Sequence, residues 1–206
     1  MGESRAIHVI ERVESVPRTT STRYDALLRI SRAVSGCRTP EEMFRMVAYE
    51  SARTLKFKKF YVLNYIYKDN SIDMQWHALG PADFPFGHLS VQETQSWWVQ
   101  VNQRPLLIPD WDKESRFPRL KQFMNTIGVR SSCAVPLATT HRRLGAFAVS
   151  SAYQNAYSVG DQHFLRLVAD HVALALDDSL NFEASQYAQA RLRLETRGDS
   201  GRFSSR

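Results

Sequence analysis

The sequence predicts an α+β fold, with helices at both ends and antiparallel hairpins between them. Three observations support this class. Apolar residues recur at helical spacing before residue 56 and again after residue 160, β-branched and aromatic residues are concentrated over residues 60–79, and two strands joined by a short turn are predicted over residues 130–151. The 206 residues, 43% of them apolar and 23% charged, fit one globular domain with short additional ends.

The first two elements are predicted to be amphipathic helices. The first carries one face of residues at helical spacing, and Gly36 ends it; the face consists of Tyr24, Leu27, Leu28, Ser31 and Val34. The second helix begins at Thr39, which can cap it, with Pro40 at the first helical position and Glu42 completing a capping box. Its buried stripe is predicted to be Phe44, Val47, Ala48, Ser51 and Leu55.

The middle of the chain alternates strands, loops and short helices. The changes in period and the Gly and Pro residues place the boundaries. In chain order we predict a strand over 60–67, a turn over 68–71, a strand over 72–79, a loop over 80–87, a helix over 92–103, a strand over 106–108 and a loop with a helix over 113–127.

The last third of the sequence predicts a second hairpin and a long helix. Strands over 130–137 and 144–151 are joined by 138–143, and Ser158 caps a helix that starts near Asp161 and runs to about Glu195. Its early turns carry a core-facing stripe of Phe164, Leu165, Val168, Val172 and Ala175. A coiled-coil-like seam follows, formed by Ala173, Leu176, Leu180, Tyr187, Ala190 and Leu194. Because such a helix is roughly 50 Å long, its second half is expected to project and to pair with another helix.

The net charge of +6 does not indicate a nucleic-acid-binding face. Half of the excess lies in residues 188–206, whereas residues 24–187 carry only +2. A DNA-binding domain usually clusters its basic residues on a folded face. We therefore predict a basic flexible tail over residues 191–206, a flexible arm over residues 1–21, and no direct nucleic-acid binding by this segment.

The sequence also favours a reducing compartment. No stretch approaches 18 consecutive apolar residues, and the N-terminus lacks the apolar core of a signal peptide. The two cysteines, Cys37 and Cys133, are too few for a disulfide framework and indicate free thiols. We expect a cytoplasmic protein without a membrane partner.

The second hairpin carries the segments RSSCAVPL (130–137) and HRRLGA (141–146), which resemble the central hairpin of a GAF domain. The segment AYS (156–158) and the residues after it resemble the start of the last helix of that domain. Four short segments are similar to the sensory region of sigma-54-dependent regulators of the formate hydrogenlyase transcriptional activator group, namely PD (109–110), RFP (116–118), TTHRR (139–143) and NFE (181–183).

This resemblance covers residues 22–190 and implies a GAF sensor domain that ends in a long helix. It implies an antiparallel sheet of five or six strands, with the first, second and last helices on one face and the middle helices and loops on the other. Ligands of such domains bind on the second face, and dimers form through the terminal helices. The resemblance leaves the ligand and any cofactor unknown.

Side-chain alternation in the second hairpin divides its residues between the two faces. We expect the small even-numbered residues to let the terminal helices pack closely; these are Ser132, Ala134, Ala146, Ala148 and Ser150. The odd-numbered residues would then face the pocket, namely Ser131, Cys133, Val135, Phe147, Val149 and Ser151. A shift of one residue would invert this assignment, and all of these residues are equally open to an ordinary core role.

Aromatic residues and arginines complete the candidate site. Trp97 and Trp98 can stack on a ligand or close the core beneath a loop, and Phe117 is expected beside them. Arg116 and Arg130 can clamp an anion such as formate through their forked guanidinium groups. The alternative for each arginine is a salt bridge with one of the nearby carboxylates, which belong to Asp110, Asp112 and Glu114. The turn residues 141–143 are expected to be solvated.

Catalytic and metal-binding functions have little support in the sequence. No histidine is placed to activate Cys133, as a nucleophilic thiol requires. Free methionine sulfoxide reductases are GAF-fold enzymes that depend on several cysteines, and Cys37 is distant in sequence. Nitric-oxide-sensing relatives bind iron through a Cys and carboxylates, but Ser131 and Ser151 are poor iron ligands.

The sequence therefore predicts a non-catalytic GAF module that senses a small molecule. It would signal through dimerising terminal helices to a transcription-regulatory output domain. Two alternatives remain at this stage: a ligand-free GAF-fold module for dimerisation or protein interaction, and a GAF-fold redox enzyme.

Overall fold

The computed structural model describes residues 20–37, 39–55, 59–68, 71–79 and 89–200. The predicted loop over 80–87 lies outside them, as do most of the N-terminal arm and the end of the tail. The helices are α1 (Thr20–Ser35), α2 (Pro40–Ala52), α3 (Gln95–Asn102), α4 (Pro118–Thr126) and α5 (Val159–Ser200). The strands are β1 (Lys59–Lys68), β2 (Ser71–Leu79), β3 (Leu106–Ile108), β4 (Ser131–Ala138) and β5 (Arg143–Ser151).

The strands form one antiparallel sheet in the order β2-β1-β5-β4-β3. Both predicted hairpins are present, and β1 joins them by pairing with β2 on one side and β5 on the other. In the β4–β5 hairpin, Ser132 lies opposite Ser150 and Cys133 opposite Val149. The antiparallel sheet predicted from the sequence is confirmed.

Helices α1, α2 and α5 pack on one face of the sheet and enclose the larger apolar core. The sheet contributes mainly large side chains to this core, among them Val135, Leu137, Phe147 and Val149. The helices contribute both large side chains and alanines, the buried alanines being Ala26, Ala48, Ala169 and Ala173. We refer to this as the terminal-helix core.

The expected orientation of the second hairpin is therefore wrong. Cys133 and Phe147, which were expected to face a pocket, belong to the terminal-helix core. The even-numbered Ala134, Ala146 and Ala148 lie in the second core, beneath α3 and α4. The size argument fails because the small residues that allow close packing come from the helices, so this face of the sheet can carry large side chains.

The second core lies between the sheet, α3, α4 and the 3₁₀ turn Trp111–Lys113. Here the alanines of β4 and β5 meet large partners such as Trp111, Phe117 and Leu120, all of which are buried. On the terminal-helix face, β4 and β5 thus contribute mainly large side chains, whereas on this face they contribute alanines.

The buried face of α1 differs from the predicted one. Tyr24 and Leu28 are 62% and 58% exposed, whereas Ala26, Ile30 and Val34 are buried. Residues spaced by four along a helix lie on one face, so the small Ala26 shifts the buried arc away from Tyr24 and Leu28.

The predicted stripe of α2 is confirmed, since all five of its residues are buried, including Val47, Ser51 and Leu55. The Thr39 hydroxyl accepts a hydrogen bond from the Glu42 backbone N–H at 3.2 Å, and Pro40 starts the helix. The capping residues read from the sequence thus place this helix correctly.

Helix α5 begins at a reciprocal cap. Ser158 Oγ accepts from the Asp161 N–H, and the Asp161 carboxylate accepts from the Ser158 N–H at 2.9 Å. Asp161 is completely buried and also pairs with Arg23 of α1 at 2.7 Å. This ion pair fixes the start of α5 against α1.

The start of the predicted seam of α5 is buried within the chain, and pairing of the later seam residues with another helix stays a prediction. Ala173 and Leu176 are buried in the terminal-helix core of the same chain. Asp177 is the last buried residue, and none of the described side chains between 178 and 191 is buried. The helix continues to Ser200, into the segment predicted as a flexible tail, because residues 184–197 are rich in helix-forming Ala, Arg, Leu and Gln. No helix within the described residues is long and apolar enough to cross a membrane.

Candidate functional site

Helix α3 covers the centre of the second sheet face and presents polar residues to it. Thr94 caps the helix by accepting from the Trp97 N–H at 3.1 Å, and Gln103 ends it with a left-handed φ of 51°. Four of its residues are buried, namely Gln95, Ser96, Val99 and Gln100, and all of them except Val99 are polar. Burying polar groups is costly unless they are hydrogen-bonded, so this helix marks an unusual region of the core.

A small group of buried polar side chains lies where α3 meets β4 and β5. Ser132 Oγ donates to Gln95 Oε1 at 2.7 Å. Ser150, opposite Ser132 in the sheet, is completely buried, and its hydroxyl makes no hydrogen bond in the structure. The indole Nε1 of the completely buried Trp111 also lacks a partner. We call Gln95, Ser132 and Ser150 the buried polar cluster.

The topology explains how Trp111 reaches this end of the sheet. Ile108 of β3 lies opposite Ser132, and the Trp111 backbone N–H then donates to the Arg130 carbonyl at 2.9 Å. Trp111 therefore sits beside the first residues of β4. A hydroxyl and an indole N–H without partners are groups that a bound molecule could satisfy.

Three of the predicted site residues come together at the edge of the second core. The Arg116 guanidinium lies 5.8 Å from the centroid of the Trp98 ring and 5.5 Å from that of Phe117. The same guanidinium is bidentate to the Glu114 carboxylate, at 2.9 Å from Nε and 2.6 Å from Nη2. The hydrogen bond from Arg116 holds the pKa of Glu114 below its usual value.

Both candidate arginines are engaged in ion pairs. Arg116 pairs with Glu114, and Arg130 Nη2 lies 2.9 Å from Asp112 Oδ2 on the surface. The salt-bridge alternative thus describes their geometry in the structure. An anion would have to compete with these carboxylates for either guanidinium group.

The remaining predicted site residues have other surroundings. Ser131 Oγ donates to the Tyr153 carbonyl at 2.6 Å, and Ser151 Oγ accepts from the Tyr153 N–H at 3.2 Å. These two serines therefore fasten the chain that follows β5. Trp97 is half-buried on α3. Cys133, in the terminal-helix core, is completely buried.

The surroundings of Cys133 disfavour its thiolate. Burial raises the pKa of the Cys133 thiol to about 12, and the Asp161 carboxylate adds to the rise. A reactive cysteine has the opposite setting, an electropositive and accessible one. Within the part of the chain that the structure describes, no three His, Cys, Asp or Glu side chains are grouped so as to hold a metal ion.

Sequence reasoning missed the buried polar cluster. Ser132 and Ser150 were assigned to the opposite face, and Gln95 gave no signal as a single polar residue at a helix start. The available clue was the pair of serines at equivalent ends of two strands whose other residues on the same face are alanines.

Comparison with known proteins identifies the fold. A family model described as GAF domain matches residues 39–176. A comparison with curated proteins found no match. Among solved structures, the GAF domain of an Acinetobacter phosphoenolpyruvate-protein phosphotransferase aligns with a TM-score of 0.65 and 14% identity, over 81% of this chain and 99% of that one.

Two further structures come from proteins of different function. Free methionine-R-sulfoxide reductase from Neisseria meningitidis, solved with its substrate, aligns with a TM-score of 0.61 and 15% identity, over 85% of this chain and 99% of that one. The GAF domain of a two-component sensor histidine kinase from Bacillus halodurans aligns with a TM-score of 0.60 and 14% identity, over 71% of this chain and 99% of that one. Identities this low show a common fold and no more. The GAF family model matches more than half of the chain's residues, and the fold agrees with that of the aligned GAF domains. The chain therefore belongs to the GAF domain family.

Proposed function

We propose that this GAF domain is a non-catalytic sensor that binds a small molecule between α3 and the sheet. The observation that carries the proposal is the completely buried Ser150 hydroxyl, which has no hydrogen-bond partner. Ser150 lies opposite Ser132, whose own hydroxyl donates to Gln95. A buried polar group left unsatisfied costs about 1–3 kcal/mol. A ligand that hydrogen-bonds to Ser150 recovers this free energy and is thereby selected for this position.

The edge of the site is formed by Trp98, Phe117 and Arg116. In the proposal the two rings provide apolar contact area, and the Arg116 guanidinium is held ready beside them by Glu114. An anionic ligand binds there only by displacing Glu114. In the clamp predicted from the sequence, a ligand such as formate would thus take the place of the Glu114 carboxylate on Arg116. Trp97 and Arg130 remain candidates at the periphery.

Thermal-shift measurements on the full chain test this proposal. Small carboxylates, including formate, and nucleotides are the probes, and Ser150→Ala is compared with the wild type. The matched control is Ser51→Ala, which removes another completely buried hydroxyl without a partner, but in α2 on the other face. We expect at least one probe to raise the Tm of wild type and Ser51→Ala, and to raise that of Ser150→Ala less. Absence of any shift favours the ligand-free alternative.

We also propose that the domain forms a homodimer through its terminal helices. α1 and α5 pack against each other and leave large apolar side chains exposed; these are Tyr24, Leu28, Leu174, Phe182 and Tyr187. Such groups on adjacent helices favour a partner that covers them. A second copy of the same helices has matching apolar surface.

Light scattering on a truncated chain tests the dimer. Cutting after Ser179 removes Phe182 and Tyr187, and we expect a monomer. Leu174→Glu in the full chain should weaken the dimer as well, whereas Tyr153→Glu, at a 77% exposed position away from both helices, should not. A dimer that survives both changes refutes this interface.

The output is proposed to be transcription regulation of the sigma-54-dependent type. Support comes from the four short segments that resemble the sensory region of such regulators. A redox enzyme is the competing class, since one structural neighbour is a methionine sulfoxide reductase. The burial and raised pKa of Cys133 argue against it. Free methionine sulfoxide reduction that is lost on replacing Cys37 and Cys133 by serine would overturn the non-catalytic assignment.

A further inference from the structure

The turn between β4 and β5 is held by helices from both faces of the sheet. On the terminal-helix side, Thr139 Oγ1 donates to Asp177 Oδ2 at 3.2 Å, and Arg142 Nη1 lies 3.1 Å from Asp177 Oδ1. On the other side, Gln100 of α3 donates through Nε2 to the Arg143 carbonyl at 3.2 Å. The turn residues 141–143 are exposed, as the sequence predicted, and the turn also connects α3 with α5 through these contacts.

Thr139 organises the turn internally. Its N–H donates to the Arg142 carbonyl at 2.8 Å, and its hydroxyl oxygen accepts from the N–H groups of His141 and Arg142 at 3.3 and 3.1 Å. The same hydroxyl is the group that donates to Asp177. A displacement of the turn backbone therefore changes the contact with α5 directly.

The two ends of this connection occupy distinctive positions. Asp177 is the last buried residue among the described side chains of α5, and Leu180, about one turn later, still packs against the terminal-helix core. Gln100 is 1% exposed and lies one and a half turns after Gln95 of the buried polar cluster, in the same eight-residue helix. A displacement of α3 as a unit moves Gln95 and Gln100 together.

We propose that the turn over residues 139–143 couples occupancy of the site beneath α3 to the direction in which α5 leaves the domain. The inference rests on the proposed function for the identity of the site. A ligand that displaces α3 alters the hydrogen bond from Gln100 to the Arg143 carbonyl. The turn then shifts, and the contacts of Thr139 and Arg142 with Asp177 change. Because binding couplings are reciprocal, weakening the grip on Asp177 must also alter α3.

A double-mutant cycle tests this reciprocity without a ligand. Gln100→Met and Asp177→Asn preserve side-chain size and weaken the contacts of the turn with α3 and with α5 respectively, on opposite faces of the sheet. Urea unfolding of the full chain gives the folding equilibrium constants. Independent sites are additive to within about twofold. We expect the double variant to deviate from additivity by about fivefold or more, and additivity would overturn the proposal.

Asp178→Asn provides the matched control. Asp178 is the adjacent residue of α5 and is exposed. Combined with Gln100→Met, it should be additive, and non-additivity of the same size would overturn the assignment to Asp177. Should Asp177→Asn fail to fold, Arg142→Gln at a partly exposed position serves in its place.

Hydrogen exchange gives a second and spatially resolved readout. Asp177→Asn should speed amide exchange in α3 by about threefold or more, and Gln100→Met should do the same in residues 177–181, while Asp178→Asn changes neither. Exchange changes confined to the substituted helix overturn the coupling. If a ligand binds but the double-mutant cycle is additive, only the coupling is refuted. If the cycle is non-additive but no probe binds in the thermal-shift measurements, only the sensor function is refuted.

Discussion

The environment of Cys133 predicts a loss of stability at alkaline pH. In the folded chain, burial in the terminal-helix core, together with the Asp161 carboxylate, raises the pKa of this thiol from 9.0 to about 12. In the unfolded chain the thiol titrates near its ordinary value. Above pH 9 the unfolded state therefore loses a proton that the folded state retains, and the contribution to stability is lost progressively from about pH 9 to about pH 12.

The magnitude follows from the size of the shift. Each pKa unit corresponds to a little over 1 kcal/mol, so the full effect is about 4 kcal/mol and the part between about pH 8 and pH 10 is about 1 kcal/mol. Urea unfolding of wild type and Cys133→Ala across this pH interval measures it. Cys133→Ala should be less stable than wild type at pH 8 because it leaves a cavity, but this difference in stability should narrow by about 1 kcal/mol at pH 10.

Cys37→Ala is the control for this experiment. Burial raises the pKa of the Cys37 thiol as well, but this residue is only half-buried. Its removal should change the pH dependence less than removal of Cys133 does. Parallel stability curves for wild type and Cys133→Ala would refute the reasoning.

Two further predictions concern the helix starts. Arg23→Met should lower the free energy of unfolding by about 2 kcal/mol, since the completely buried Asp161 loses its 2.7 Å ion pair with α1; a change below about 0.5 kcal/mol in urea unfolding would show that the pair contributes little. Thr39→Ala should cost about 1 kcal/mol by removing the N-cap of α2. As the control, Thr126→Ala near the end of α4 should leave the Tm nearly unchanged. A loss of stability equal to that of Thr39→Ala would contradict the capping role of Thr39.

Local signals predicted the element starts well. Thr39 and Ser158 cap α2 and α5 as their sequence context indicates, because an N-cap depends only on residues within one turn. The face of the β4–β5 hairpin was not predictable in this way. Almost every residue of both strands is buried, so there is no polar side from which alternation could be oriented.

The candidate site was predictable only in part. Arg116 and Phe117 are adjacent in the sequence, and Trp98 joins them from α3, whereas Cys133, which was expected to face the same pocket, lies in the terminal-helix core. Ser132 and Ser150 become a pair only through the register of two strands. Their importance depends on what each hydroxyl can reach, and such tertiary information has no signature in residue spacing.

Beyond the terminal-helix core, the end of α5 amplifies small changes in the direction of the helix. Leu180 is the last of its described side chains that packs against this core, and the helix rises about 30 Å from there to Ser200. A tilt of about 10° at Leu180 therefore displaces the far end by about 5 Å, close to the rise of one helical turn. This displacement requires that residues 181–197, ahead of Gly198, stay stiff, so a further glycine among them would reduce it.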